Sequence, residues 1–525
     1  MSGQQTYIIG DLSGLQDHLF DIPSKGAARR LRARSFRITI TAEAAALRVL
    51  HTLEWGREQM VLSAAGKFIL RGPALDDAQR QRLEQLAIEL QRGQFMATNG
   101  TLRFSLVVLD RATDVKPAEV YDQLQRALQQ EKMRPANRFL VAPTGWRSGS
   151  MPALEPACAV CQRRPGTIPD AAKQLVCAPC AEELRIGNEL PRAAWALLYN
   201  DASMEDGLAG YRLAFSHERS QIPKADHAYS LDGRNNGAGI TWARHVPTDA
   251  QGHSLDFEAL AAKAAGMPAL GILKADGDSM GAHMNQLLQQ SGWEGISTLS
   301  KQLADQFSTG LDTLLNQPAW KDIYVVFAGG DDMLLVGPWD HILRFAGEFR
   351  NAFHVRFGAV GLTLSAGVAV VKPRHPIAAA VALADEALDR AKTEAAIGAE
   401  QPKDQIAAFG QVWKWKDHKA VLNQAERLAR WVRNGTMPRG WLHRFNGLMQ
   451  DHLADTGGLA TAHMAYHIGR NLPKANAPGE GGDMRRWAEN LLNDLKAMHD
   501  PLTRCAPAIL QHAITATRPG SSQNP

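Results

Sequence analysis

Apolar residues run together from Thr6 to Gly10, break at Asp11-Leu12-Ser13-Gly14 and return at helical spacing around Leu15, Leu19 and Phe20. That pattern predicts a strand, a turn and a helix with Ser13 as its N-cap. Further on, Gln59 to Ser63 and Lys67 to Arg71 read as a hairpin about Ala65-Gly66, Asp76 to Gln91 as a helix, and Leu102 to Leu109 as a strand. The order then recurs. Residues 269 to 274 read as a strand, helices follow Ser279, a hairpin turns at Gly329-Gly330, and helix 340 to 353, strand 362 to 371 and helix 377 to 395 complete the second copy. The expected fold class is α+β, with two βαββαβ palm domains of ferredoxin-like topology.

Between the copies lies a cysteine module followed by a Gly- and Asp-rich connector through Gly239, and after Gln401 the chain reads as helical with a disordered tail from Arg518. The expected domains are 1–140 (first, degenerate palm), 150–240 (zinc-binding linker module), 241–400 (second, catalytic palm) and 401–525 (C-terminal helical domain).

Candidate chemistry concentrates at two acidic turns. Gly329-Gly330-Asp331-Asp332 joins two apolar, β-prone runs, and Leu273-Lys274-Ala275-Asp276-Gly277-Asp278-Ser279-Met280-Gly281 takes a strand into a helix. Alone, the tetrad also fits a solvated surface hairpin. In palm order, the two strands lie side by side and bring Asp276 close to Asp331 and Asp332, the layout of a two-metal nucleotidyl-transfer centre. In the first copy Ala65-Gly66-Lys67-Phe68 occupies the hairpin position, so Lys67 and Phe68 replace the carboxylates. That copy holds no metal pair, and Lys67 is either a nucleotide contact or an ordinary surface lysine.

Cys158-Ala159-Val160-Cys161 and Cys177-Ala178-Pro179-Cys180 form paired Cys-x-x-Cys knuckles, a spacing suited to a closed, structural zinc site. Cys505 reads as a small apolar residue.

A formal net charge of +4 over 525 residues is too small for a global nucleic-acid field, which leaves local patches. Lys25, Arg29, Arg30, Arg32, Arg34 and Arg37 form one, read either as a phosphate track or as a solvated helix face. Trp413, Trp415, Trp431 and Trp441, set among lysines and arginines, fit a protein interface or core better than an RNA clamp, with interface the favoured reading. No apolar run approaches the roughly 20 residues of a membrane span, and the N-terminus lacks a secretory layout, so no membrane contact and a cytoplasmic location are the expectations.

These residues resemble the large palm-domain subunit of type III CRISPR effector complexes, in the Csm-like branch. The resemblance rests on Gly10-Asp11-Leu12-Ser13-Gly14-Leu15-Gln16, Ser24-Lys25-Gly26, Leu31-Arg32-Ala33-Arg34-Ser35-Phe36, the two acidic turns, Ser365-Ala366-Gly367-Val368-Ala369 and Ala384-Asp385-Glu386-Ala387-Leu388-Asp389-Arg390-Ala391-Lys392. It implies a synthase that joins ATP through 3′-5′ links into cyclic oligoadenylate, an antiviral second messenger, when the complex holds target RNA. It implies Mg²⁺ or Mn²⁺ on Asp276, Asp331, Asp332 and the Gly277 carbonyl. Ser13, Gly14, Gly277, Asp278, Ser279, Gly281, Ser300, Gly329, Gly330 and Lys392 become candidate nucleotide contacts. Implied partners are guide RNA, target RNA, the subunit that binds the guide 5′ end and a small helical subunit. The family's N-terminal histidine-aspartate nuclease domain has no counterpart before Thr6, so no DNase activity is expected of this chain. Two other functions stay open, a non-catalytic scaffold of the same complex and a stand-alone GGDEF-like dinucleotide cyclase.

Overall fold

A computed structural model describes residues 3–23, 26–64, 66–140, 155–170, 173–201, 207–218, 221–231, 242–454, 458–495 and 497–518. The expectations placed on Lys25, on Ala65, on the end of the connector at 232–241 and on the tail at 519–525 lie outside those residues.

The chain opens with β1 (Gln4–Ser13), α1 (Leu15–Phe20), the long α2 (Ala27–Leu53), β2 (Met60–Ala64), β3 (Lys67–Pro73), α3 (Asp77–Thr98), β4 (Arg103–Ala112), α4 (Pro117–Lys132) and α5 (Asn137–Leu140). Next come β5 (Ile168–Pro169), β6 (Leu175–Val176), α6 (Ala178–Glu189), β7 (Trp195–Asn200), β8 (Tyr211–Ser216) and β9 (His227–Ser230). The central part holds α7 (Phe257–Ala261), β10 (Leu270–Gly277), α8 (Met280–Asp305), α9 (Leu311–Leu315), β11 (Tyr324–Gly329), β12 (Asp332–Pro338), α10 (Trp339–Phe357), β13 (Leu364–Val371) and α11 (Ile377–Thr393). β14 (Gln405–Ala408), β15 (Gln411–Lys414), α12 (Trp415–Arg433), α13 (Arg439–Ala454), α14 (Leu459–Asn471), α15 (Glu480–Asp494), α16 (Pro501–Arg504) and α17 (Ala506–Ala516) finish it.

The fold is mixed α+β. Its two larger sheets run β2-β3-β1-β4 and β11-β12-β10-β13-β14-β15, so the first four strands of each follow one order. By contacts the chain gathers into two compact units, Met1–His245 with Ser279–Thr313 and Val325–Asp331, and Val246–Asp278 with Leu314–Tyr324 and Asp332–Pro525.

In the first unit, alternate residues of the sheet (Tyr7, Ile9, Ile69, Val107) pack on Val120, Leu124 and Leu128 of α4 and on Leu288, Trp293 and Ile296 of α8. This is the strand period of two meeting the helical stripe. A separate core joins Phe36, Ile40 and Leu47 of α2 to Ile186 of α6 and to Ala196, Leu198 and Leu213 of the β8-β7-β9 sheet. In the second unit the central strands are buried under α10 and α11, as expected for near-continuous apolar runs covered by helices.

Several expectations need correction. Ser13 does not cap α1; Gly14 holds the cap position at φ 83°, where a side chain would also strike the Thr101 carbonyl oxygen. The region read as connector contains β7, β8 and β9, and the region read as helical begins with β14, parallel to β13, and β15. Strands of four to six residues carry too little periodicity to show. Arg30, Arg32 and Arg34 are buried in α2, neither a phosphate track nor a solvated face. Trp413, Trp415, Trp431 and Trp441 are buried too, within the second unit's own core, with Trp441 stacked on Phe445 at 4.6 Å.

Candidate active site and metal centre

The ladder registers define the candidate site. On β10, Asp276 stands opposite Asp332 of β12 on one side and Ser365 of β13 on the other. Directly opposed residues place their Cβ atoms about 5 Å apart, within reach of one shared cation. Lys392, on the last turn of α11, makes an ion pair with Asp276. Burial first, then the charges of Lys403 and Lys274, hold the Lys392 ammonium down to about 8.

The first sheet repeats this arrangement with one change. Asp11 of β1 stands opposite Lys67 of β3 and Ser105 of β4. Lys67 lies 3.6 Å from Asp11, and Lys132, at the end of α4, pairs with the same carboxylate. The register therefore equates Asp11 with Asp276, Ser105 with Ser365 and Lys67 with Asp332. Matching Ala65-Gly66 to Gly329-Gly330 along the sequence sets Lys67 against Asp331, one residue off, because a turn motif carries no information about rungs.

The sequence-derived candidates part company here. Asp278 is buried, and its carboxylate accepts hydrogen bonds from the Thr363 hydroxyl (2.8 Å), the Ser365 hydroxyl (2.8 Å) and the Asp404 N–H (3.0 Å). That side chain is committed to holding the turn. Gly277 ends β10, and Ser279, exposed at φ 57°, caps α8 with Gly281 exposed in its first turn. Ser300 comes together with Gly329 and Gly330 around a cavity of about 280 Å³ in the first unit, which Glu43, Arg57 and Lys301 also line. Ser13 and Gly14 are not among its lining residues; the Ser13 hydroxyl points to the Arg103 carbonyl.

Glu43 is fully engaged. It accepts from Arg57, from the Ser63 hydroxyl at 2.8 Å and from the Tyr229 hydroxyl at 3.0 Å. Neither Glu43 nor Arg57 was singled out in the sequence, and no local pattern marks them. Lys132 could have been found, since it ends the helix after the fourth strand as Lys392 nearly ends its counterpart.

Burial raises the Asp331 carboxyl above its ordinary range, against its own backbone N–H and the charge of Lys67. Within the second sheet, the facing Asp276–Asp332 pair, which already holds one ammonium, fits a divalent cation. Three acidic side chains do not gather around one point among the described residues, where Lys392 takes the position beside Asp276.

The four cysteines do gather. Cys158, Cys161, Cys177 and Cys180 bring their sulfurs within 4.8 Å of one another, with Cys161 and Cys177 at 3.7 Å. A zinc–sulfur bond of about 2.3 Å in a tetrahedron requires about 3.8 Å between sulfurs, so the set fits zinc with no position left open. The Cys177 N–H also donates to the Cys158 sulfur at 3.2 Å.

Two family models match the chain, that of the Cas10/Cmr2 second palm domain over residues 269–407 and that of Csm1 subunit domain B over residues 5–141. Among curated relatives, the subtype III-A single-strand-specific deoxyribonuclease Cas10/Csm1 of Thermococcus onnurineus is 25% identical over 88% of this chain and 64% of its own length. Its counterpart from Streptococcus thermophilus is 24% identical over 88% and 61%. The chain thus spans half to just under two thirds of the curated relatives it matches. Their deoxyribonuclease name runs against the expectation of no DNase activity, which is not retained. Among solved structures, a Csm1-Csm4 cassette in complex with one ATP superposes with a TM-score of 0.74 and one in complex with cA4 with 0.73, each 17% identical and covering 98% of this chain and 70% of the other. At that identity the likeness establishes the fold. With both family models matched in order and the relatives aligned along most of the sequence, the chain belongs to the Cas10/Csm1 family.

Proposed function

We propose that this chain acts as the large subunit of a type III-A effector and converts ATP into cyclic oligoadenylate by 3′-5′ nucleotidyl transfer when target RNA is bound. The observation that carries the proposal is the Asp276–Asp332 rung beside Lys392 at the end of a palm-ordered sheet. The two sheets correspond to a degenerate palm (1–140) and a catalytic palm (241–400), separated by a zinc-binding module (150–240) and followed by a helical domain (401–525).

Asp276, Asp331 and Asp332, with the Gly277 carbonyl, would hold Mg²⁺ or Mn²⁺, which lowers the cost of charge on the attacking 3′-hydroxyl and on the departing pyrophosphate. The 3′-oxygen of one ATP bonds to the α-phosphorus of the next, and the bond from that phosphorus to pyrophosphate breaks. The amides from Gly277 to Gly281, at the start of α8, are placed to cradle a triphosphate. Lys392, paired here with Asp276, would be free to reach the outer phosphates as a point charge if a metal held that carboxylate. Ser300, Gly329 and Gly330 receive one adenosine in the cavity they line, and Ser13 and Gly14 remain candidates for the acceptor nucleotide. Asp278 contributes by fixing the turn. Guide RNA, target RNA, a Csm4-like subunit and a small helical subunit complete the assembly; solved cassettes of Csm1 with Csm4 hold ATP, pppApA, pppApApA and cA3 as well as cA4.

The test is incubation of the reconstituted complex with labelled ATP, Mg²⁺ and target RNA, with mass spectrometry of the product. Cyclic oligoadenylate that depends on RNA is the expected result. No product marks the chain as a scaffold, and an RNA-independent dinucleotide from the chain alone marks a stand-alone cyclase.

A further inference from the structure

Three consecutive residues of the second unit reach both the end of α11 and the acidic turn. Gln405, fully buried at the start of β14, donates from its side-chain amide to the carbonyls of Ala391 at 2.8 Å and Glu394 at 2.5 Å. The Lys403 N–H donates to the same Ala391 carbonyl at 3.1 Å. These carbonyls belong to the last turn of α11 and its exit, where a helix has no partners of its own for them. Between Lys403 and Gln405 stands Asp404, whose N–H donates to the Asp278 carboxylate at 3.0 Å. One backbone segment therefore grips the helix end that carries Lys392 and the turn that carries Asp276, through residues whose Cα atoms are about 3.8 Å apart.

The segment is itself tied down. Lys403 and Asp404 are both left-handed, at φ 69° and 46°, a conformation that residues with side chains seldom adopt twice in a row. Arg350 of α10 donates to both carboxylate oxygens of Asp404, at 3.1 and 3.2 Å, and Lys414 of β15 donates to the Lys403 carbonyl at 2.6 Å. Strain of this kind persists only where the surroundings over-determine it, which suits an element that fixes a distance. Capping α11 alone would need neither the Asp404 bond to Asp278 nor the Arg350 anchor.

We propose that Lys403, Asp404 and Gln405 are positioning residues that set where the end of α11, and with it the Lys392 ammonium, stands relative to the Asp276-Gly277-Asp278 turn. The consequence for synthesis rests on the nucleotidyl-transfer reading; the mechanical coupling of helix end to turn does not.

Residue-resolved hydrogen exchange and steady-state synthesis test these two parts separately. Gln405→Met keeps the length of the side chain and removes its donor. It should speed exchange at the Glu394 amide, which bonds the Arg390 carbonyl, and at the Asp278 amide, which bonds the Thr363 carbonyl, each at least about tenfold. In the reconstituted complex with target RNA it should lower kcat about ten- to a hundredfold with the KM for ATP within about threefold, as when groups are misplaced and not removed. Asp404→Ala should act likewise, while Asp404→Asn, which tolerates the left-handed backbone and still offers Arg350 an oxygen, should recover most of the loss. A segment that only stabilised the fold would lower the melting temperature in these variants and leave kcat per RNA-binding complex unchanged. That result overturns the proposal, as does faster exchange at Glu394 with Asp278 unchanged. A wild-type complex without product overturns the cyclase reading alone, and exchange at the two amides then decides. If Gln405→Met does not fold, the Asp404 variants carry both measurements.

Discussion

Two sheets of one chain share strand order, a carboxylate on the central strand, a serine beside it and a lysine from the helix that follows, yet differ at the opposite rung. Asp11 faces Lys67, whereas Asp276 faces Asp332. Two carboxylates about 5 Å apart repel by about 3 kcal/mol at an effective dielectric of about 20. The second sheet sets against that repulsion a lysine from a helix, Lys392 beside Asp276, whereas the first places a lysine on the rung itself. One difference on a β-strand separates a facing pair of carboxylates from an internally neutralised rung within the same strand order.

The largest expected effect separates the two aspartates. Asp276→Ala or Asp332→Ala should lower oligoadenylate synthesis at least about a hundredfold with RNA binding retained. Asp11→Ala should leave synthesis within about tenfold and cost about 2 kcal/mol in stability, measured by denaturant unfolding. Equal loss of synthesis from both positions would erase the asymmetry.

Next, Lys67→Asp rebuilds the acidic rung in the first sheet. The variant should bind one more Mn²⁺ per chain than wild type, counted by electron paramagnetic resonance; an unchanged count would mean that the shared register does not confer shared chemistry.

Acid sharpens the comparison through buried histidines. Burial holds His418 and His512 of the second unit at about 4, and His18 of the first at about 3. In the unfolded chain each titrates near 6.5, so between that value and the folded one the unfolded state binds more protons and stability falls as pH falls. From neutrality to pH 5 each histidine costs about 2 kcal/mol. With two of them, the second unit should lose hydrogen-exchange protection first on acidification. His418→Gln should cancel part of that loss: its ring accepts from the Trp413 indole N–H and donates to the Leu343 carbonyl, roles an amide can copy without titrating.

The smallest effect belongs to Ser300. Ser300→Ala should raise the KM for ATP by up to about tenfold with kcat little changed, since one neutral hydrogen bond is worth about 1 kcal/mol. A fall in kcat alone would place Ser300 outside ground-state binding.

Much of this is legible in the sequence. Strand 269 to 274 extends to Gly277, the helix read from 377 to 395 spans Ile377–Thr393, and both hairpins stand where expected. The four cysteines came together as their spacing required. What stayed hidden depends on partners far away in the chain. Arg30, Arg32 and Arg34 looked like surface because charge is normally solvated, and their hydrogen bonds to α6 are formed by residues about 150 positions further along the chain. Asp278 looked like a ligand because it sits in a glycine-bearing turn; Thr363, Ser365 and Asp404 claim it.

By itself the sequence determined the periodicities, the turns and the residue types able to bind metal, because these follow from neighbours a few positions apart. Tertiary structure alone decided which residues share a rung, that Lys67 answers Asp332 and not Asp331, and which charges lie buried. Register and burial depend on contacts between segments 56 to 155 residues apart, and a shift of one position along a strand sends every side chain to the other face.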